Sequence, residues 1–287
     1  MKRKRGDRKD GRLLRELDPM HFIVPIIHPN RCDNEAFLSE CIDLSNAMEY
    51  LEKLNGNNPE YKYNLFQLIV CAMLKTITLR PKMNRFIANR NVYERNEVSA
   101  AFVVKKVFSD KGEEALAFLH AKPEDTLFTV HDEIYKKVSY CRSDEKDSSS
   151  ETMDIFNKMP RWLAKSLVRF FCVLERHGKI PRSFVETDPY YSSVLLSNLG
   201  SIKLHAGYHH LTNWGTTSVF CVIGEKKKRP FYDEEGNVEM KESVDLGLTI
   251  DERLADGYYY SKTIRLLKTL LENPSLLETP LCEEVEY

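Results

Sequence analysis

The chain has 287 residues, with 42 Lys and Arg against 43 Asp and Glu, for a formal net charge of -1. Apolar residues make up 42% and charged residues 30%, which is typical of a soluble globular protein and disfavours disorder or a broadly basic nucleic-acid binder. The seven cysteines include no Cys-x-x-Cys pair, which disfavours a disulfide framework and a structural zinc site. Because no apolar run reaches about 18 residues and the amino terminus does not resemble a signal, we expect a cytoplasmic protein.

The first 16 residues are rich in Lys and Arg and poor in apolar side chains. Such a segment cannot offset the entropy of ordering by burying apolar area. We therefore divide the chain into a solvated basic arm, residues 1–19, and a single domain, residues 20–287. A lipid-surface or nucleic-acid contact is the alternative for the arm, although we expect no nucleic-acid partner for the protein.

Helices are predicted where apolar residues recur every three or four positions. The second of them begins at the capping residue Asn64, stops at Pro81 and is apolar on all sides, so it should be buried. The fourth has an apolar stripe with interleaved Arg and Lys; we expect this stripe to face the core, with a membrane surface as the alternative. In chain order the predicted helices cover residues 42–54, 64–80, 123–141, 153–177 and 258–271.

Strands are predicted where β-branched and aromatic residues cluster. Phe22–Ile27 contains Pro25, which cannot donate to a ladder and so indicates an edge strand. The polar cluster at 144–151 predicts an exposed loop. The further strands are residues 85–88 and 91–93, joined as a hairpin, and 98–108, 193–197, 218–223 and 244–250. This mixture predicts an α/β (α+β) two-layer sandwich.

Three segments in the last third of the chain form a recognisable series. Residues 197–200 read SNLG, residues 251–257 read DERLADG, and residues 266–277 read LLKTLLENPSLL. In this order they resemble the catalytic domain of the 2-oxoacid dehydrogenase acyltransferases and chloramphenicol acetyltransferase. Residues 65–87 are similar to that family's buried helix, proline and Asn before the first hairpin, so the resemblance spans roughly residues 20–277.

The resemblance implies a chloramphenicol acetyltransferase-like fold, with a mixed sheet and helices packed on one side. It also implies a homotrimer whose active sites lie in channels between subunits, and transfer of an acyl group from acyl-CoA to a thiol or hydroxyl acceptor without a metal. We expect no covalently attached lipoyl group in this chain and hence a stand-alone enzyme with a diffusible acceptor.

Acyl transfer from a thioester needs a base for the acceptor's proton and a donor for the tetrahedral oxyanion. In the resembling family the base is the histidine of an HxxxDG motif, Ser197 matches the oxyanion donor, and Asp256 matches an aspartate that orients the loop through ionic contacts. This chain has Glu252 at the histidine position. A carboxylate is ordinarily a weaker base by about 2 pKa units, and burial can offset that difference.

Other interpretations of these residues stay open. His205, His209 and His210 follow the SNLG segment and are substitute candidates for the base. Glu252 and Asp256 can instead serve the start of a helix, where carboxylates are favoured, and the SNLG segment can be a strand-ending turn.

The sequence therefore leaves three functional hypotheses. The first is a stand-alone, CoA-dependent acyltransferase. The second is a catalytically inactive relative that keeps the trimeric scaffold and binds acyl-CoA or a protein partner. The third is a peripheral membrane contact made by the basic arm and residues 153–177.

Overall fold

The computed structural model describes residues 3–105, 114–142, 158–185 and 188–287. The predicted loop at 144–151, the end of the strand predicted at 98–108 and the start of the helix predicted at 153–177 lie outside these residues. The strands are β1 (Gly11–Leu13), β2 (Glu35–Asp43), β3 (Arg85–Ala88), β4 (Asn91–Arg95), β5 (Val98–Lys105), β6 (Glu114–Ala121), β7 (Val194–Asn198), β8 (Val219–Ile223), β9 (Lys227–Tyr232) and β10 (Val238–Asp251). The helices are α1 (Pro19–Ile27), α2 (Ser45–Gly56), α3 (Leu65–Leu79), α4 (Leu127–Arg142), α5 (Arg161–Arg176), α6 (Arg182–Val185) and α7 (Gly257–Glu272).

Seven strands of the described residues form one mixed sheet in the order β2-β10-β8-β7-β5-β6, with β9 paired to β10. The three strands β5, β7 and β8 run parallel to one another, and the other neighbours are antiparallel. The main apolar core lies between one face of this sheet and α2, α3, α4 and α7. The predicted fold class, a mixed sheet with helices packed on one side, is therefore confirmed. We call the opposite face of the sheet the second face.

Helix α3 is the central helix of that core, as its all-round apolar pattern predicts. The side chains of Asn64 and Gln67 form a capping box at its start. Lys75, in the middle of the helix, is fully buried, and its Nζ donates to the carbonyl oxygens of Leu276 and Pro280 at 2.9 and 3.0 Å. One buried cation thus ties the carboxyl-terminal segment to the central helix.

The edge strand predicted at Phe22–Ile27 is wrong, because these residues lie in α1. The carboxylate of Asp18 accepts hydrogen bonds from the backbone N–H groups of Met20 and His21, both at 3.1 Å. Pro19 occupies the first helical position, where a missing N–H costs nothing. These start signals outweigh Pro25, which removes a single intrahelical bond.

The expectation of a solvated basic arm is wrong for part of residues 3–19. Strand β1 pairs with β4, and Arg8 is only 5% exposed. Its guanidinium lies 2.9 Å from Asp10 and 3.2 Å from Glu175 of α5. Paired charges order this segment together with Leu13, Leu14 and Leu17, which pack against buried apolar clusters. The division of the chain after residue 19 stays a prediction.

The expectation that the stripe of residues 153–177 faces the core is also wrong. No residue of α5 is buried. Trp162, Phe170 and Val173 are 70%, 57% and 52% exposed, respectively. The helix lies on the outside of the domain. Its half-buried residues contact the domain, whereas its most exposed apolar residues face solvent.

Replacing Lys75 with Met should lower the free energy of unfolding by about 2–4 kcal/mol, because two buried carbonyl oxygens lose their donor. Urea denaturation measures the change. Lys53→Met on the exposed side of α2 is the matched control and should change stability by less than about 0.5 kcal/mol. Equal losses in the two variants would contradict the assigned role of Lys75.

Candidate functional site

Strand β10 ends in a buried charge cluster. Asp251 is fully buried, and its carboxylate oxygens accept from Arg253 Nε at 2.7 Å and Nη2 at 2.6 Å. Arg31 is 4% exposed, and its Nε lies 3.7 Å from the same carboxylate. Burial lowers the pKa of Arg31, and the carboxylate opposes that shift. The cluster fixes the backbone at the point where the DERLADG segment leaves the sheet.

Glu252 follows directly and is exposed to solvent. Its backbone N–H donates to the carbonyl oxygen of Asn34 at 3.0 Å. The residue lines a cleft of about 800 Å³ between β2, the end of β10 and α7. Tyr260 lines the same cleft and donates through Oη to the backbone oxygen of Asp251 at 2.8 Å. Burial raises the pKa of Tyr260, so its phenol stays protonated.

Asp256 lies in the same cleft and begins helix α7. Its carboxylate accepts from the backbone N–H of Tyr259 at 2.8 Å. That hydrogen bond is the main reason why the pKa of Asp256 falls below 3.8. Asp256 is therefore the N-terminal cap of α7, a position at which Asp is favoured.

Ser197 lies elsewhere, near the end of β7. Side chains alternate along a strand, and Leu196 belongs to the helix-side core while Leu195 belongs to the cluster on the second face. Ser197 therefore lies on the second face. It is half-buried and pairs with Val222 of β8.

The loop that carries the candidate histidines crosses this second face. A Cβ atom at Gly247 would clash with the backbone oxygen of Gly207, so only glycine allows the loop to lie flat on β10. Tyr208 contacts Phe37 of β2, with 5.1 Å between ring centroids. His209 stacks on Phe220 of β8 at 4.4 Å, on the same face as Ser197.

The other two histidines make different contacts. Nδ1 of His205 lies 3.2 Å from both Glu225 and Lys227. Nδ1 of His210 lies 2.9 Å from the backbone oxygen of Leu211. Of the three candidates, His209 is the one that contacts the sheet beside the strand bearing Ser197.

The sheet register separates Ser197 from Glu252 within one chain. Ser197 pairs with Val222, Val222 pairs with Gly247, and Glu252 lies five residues beyond Gly247. At standard strand spacing this is roughly 10 Å across the sheet and roughly 17 Å along it. The structure brings Glu252 and Asp256 into one cleft and leaves Ser197 outside it.

A larger cleft of about 1220 Å³ opens at the carboxyl ends of β7 and β8. It is lined by apolar and aromatic residues of α2, α3 and α4, by the cations Lys62, Lys203 and Lys226, and by the carboxylates Glu52, Glu60 and Glu225. These cations come from three separate loops, so sequence spacing gives no signal for the cleft. Within the residues that the structure describes, no group of three or more His, Cys, Asp or Glu side chains is arranged to hold a metal ion.

Replacing Asp251 with Asn should lower the free energy of unfolding by about 3–5 kcal/mol, because Arg31 and Arg253 then lose their buried counter-charge. Asp245→Asn on the same strand is the matched control, since Asp245 pairs with Arg229 near the surface. The Asp245→Asn variant should lose less than about 1 kcal/mol of unfolding free energy. Chemical denaturation compares the two, and similar losses would show that the Asp251 cluster does not anchor the strand end.

Asp256→Asn should lower the melting temperature at neutral pH. A lowered carboxyl pKa stabilises the fold above the unfolded value near 3.8 and loses this effect as pH falls through the folded value. The gap between the two melting curves should therefore close below about pH 3.8. A gap that does not change with pH would argue against a stabilising charge at the start of α7.

Comparison with known proteins places this geometry in context. Residues 186–279 match the family described as 2-oxoacid dehydrogenases acyltransferase (catalytic domain). No curated protein matches the chain.

Solved structures match over nearly the whole chain. A probable dihydrolipoamide acetyltransferase from Listeria monocytogenes aligns with a TM-score of 0.61 and 14% identity, over 93% of this chain and 97% of that one. The cubic core of the pyruvate dehydrogenase multienzyme complex aligns at 0.60 and 14%, over 91% and 93%. A chloramphenicol acetyltransferase aligns at 0.58 and 13%, over 91% and 99%. The resemblance predicted from the sequence is confirmed: residues 186–279 match the catalytic-domain family of the 2-oxoacid dehydrogenase acyltransferases, and the chain shares the fold of dihydrolipoamide acetyltransferases and chloramphenicol acetyltransferase.

Proposed function

We propose that this protein transfers an acyl group from acyl-CoA to a thiol or hydroxyl acceptor, at sites formed between the copies of a homotrimer. The observation that carries the proposal is the position of Ser197 and Glu252. Each lies at the end of a central strand within the acyltransferase-like fold, but the register keeps them roughly 20 Å apart in one chain. A second copy can supply the missing partner.

The second face of the sheet supports such an assembly. It carries Ser197 and, from β2 and the crossing loop, the apolar side chains of Phe37 and Tyr208, which contact each other. These two side chains are 52% and 50% exposed, respectively. Contiguous exposed apolar side chains are typical of protein interfaces. Burying this face against another copy would remove them from water and enclose Ser197.

The large cleft at the carboxyl ends of β7 and β8 suits a coenzyme A thioester. Its lining includes Lys62, Lys203 and Lys226, whose ammonium groups complement phosphates. Its aromatic and aliphatic side chains suit the acyl and pantetheine portions. The cleft begins at Asn198 and Gly200, directly after Ser197, so a bound thioester can extend toward the oxyanion donor.

The proposed reaction uses Glu252 as the base. Its carboxylate takes the proton of the acceptor as the acceptor's oxygen or sulfur bonds to the thioester carbonyl carbon. The hydroxyl of Ser197 donates to the oxyanion of the tetrahedral intermediate. The intermediate then breaks its bond to sulfur, and the departing coenzyme A takes the proton back from Glu252. Asp256 holds the start of α7, so it positions the loop that carries the base.

The second candidate function is binding of acyl-CoA or a protein partner by the same trimeric scaffold, without chemistry. The exposure of Glu252 favours it, because acyl transfer relies on a base held in a site that excludes water. Assembly that buries Glu252 is therefore a requirement of the catalytic proposal.

Purified protein incubated with acyl-CoAs of several chain lengths and with alcohol or thiol acceptors should release free coenzyme A, measured by chromatography. Ser197→Ala should lower kcat by about 100-fold or more, as loss of an oxyanion donor does. Glu252→Gln should lower it by about 100-fold or more as well, because the base is lost. Glu239→Gln, on the exposed part of β10, is the control and should leave turnover unchanged.

Turnover that survives both site variants would contradict the assigned roles. Thermal stabilisation by acyl-CoA without turnover, unchanged by Glu252→Gln, would favour the non-catalytic function.

A further inference from the structure

Helix α5 carries an apolar stripe that faces solvent. At 100° per residue, Trp162, Phe170 and Val173 fall on one side of the helix. They are the most exposed apolar residues of α5, with Trp162 at 70%. The half-buried residues of the helix, Leu167 among them, lie on a different side. The stripe is therefore additional to the surface that packs on the domain.

Four cations flank the stripe along its exposed edge. They are Arg161, Lys165, Arg169 and Arg176. None of them forms an ion pair with another residue in the part of the chain that the structure describes. The chain as a whole has a net charge of -1, so this positive strip is a local concentration of charge. An exposed Trp and Phe beside a row of cations matches helices that lie in a membrane interface.

The carboxyl-terminal end of α5 is held firmly on the domain. Arg8 donates through Nη1 to the backbone oxygen of Glu175 at 2.7 Å and pairs with its carboxylate at 3.2 Å. The ring of Phe171 packs against Phe184, with 5.8 Å between centroids. The stripe is thus displayed by a helix in fixed orientation, which lowers the entropy lost on binding a flat surface.

We infer that α5 binds the surface of an anionic lipid bilayer, with Trp162, Phe170 and Val173 entering the interface and the cations contacting lipid phosphates. The charge complementarity of the flanking cations favours an anionic bilayer over an apolar protein groove. No described helix is long and apolar enough to cross a membrane, and this mode of binding needs none. Arg8 of the basic arm does not contribute to this surface, because its charge is already paired with Asp10 and Glu175.

Vesicle co-sedimentation of the full chain tests the inference. Binding is expected to vesicles of phosphatidylcholine with phosphatidylglycerol, to weaken with added salt, and to be at least ~10-fold weaker with phosphatidylcholine alone. The double variant Trp162→Ser/Phe170→Ser should lower binding at least ~10-fold. The double variant Met20→Ser/Phe22→Ser in α1 is the matched control, since these residues are 66% and 61% exposed, and should bind like the unmodified protein.

Tryptophan fluorescence gives a second readout that does not depend on turnover. Trp162 should shift to shorter wavelength on adding anionic vesicles, whereas Trp214 is already half-buried and bonded to Asp188 at 2.7 Å. Absence of vesicle binding, equal binding by the α5 double variant, or equal loss in the α1 control would overturn the inference. A change in the molecular mass of the α5 variant without vesicles would overturn it too, by making α5 a contact between copies.

Discussion

The pairing of β10 with β2 on one side and with β8 on the other fixes the position of the candidate site residues. The strand is 14 residues long, and its last residue, Asp251, is held by two buried arginines. Because an uncompensated buried charge is costly, the strand end is confined to one position. Glu252 and the start of α7 follow from that position, and the same register determines how far Ser197 lies from them.

The two faces of the sheet have different roles. The helix side holds the main core and, at the edge, the cleft with Glu252 and Asp256. The second face holds Ser197 and the crossing loop, which lies against backbone where Gly247 has no side chain. Gly247 in β10 thus has a positional purpose, because any side chain there would meet the backbone of the crossing loop.

Sequence reasoning found the elements whose signals are local. The all-round apolar pattern and Asn64 cap of α3, the β3–β4 hairpin and the strands of the last third correspond to structure, because cap and periodicity act within a few residues. It failed where a distant partner decides the outcome. Arg8 is ordered by Glu175, which is far away in sequence, and α5 shows the periodicity of a core helix although its apolar stripe faces solvent. The pairing of Asp251 with Arg31 arises only through the fold, and so does the separate grouping of lysines at the large cleft. Sequence spacing alone could reveal neither.

The most direct test of a site shared between copies mixes two defective variants. Ser197→Ala and Glu252→Gln proteins are dissociated together in equal amounts and reassembled, and acyl transfer is then measured. If Ser197 of one copy works with Glu252 of another, about one quarter of all sites regain both groups after random reassembly, and activity should rise to about that fraction of the unmodified protein. Activity no higher than that of the separate variants would contradict the account, because both residues would then act within one chain or not at all.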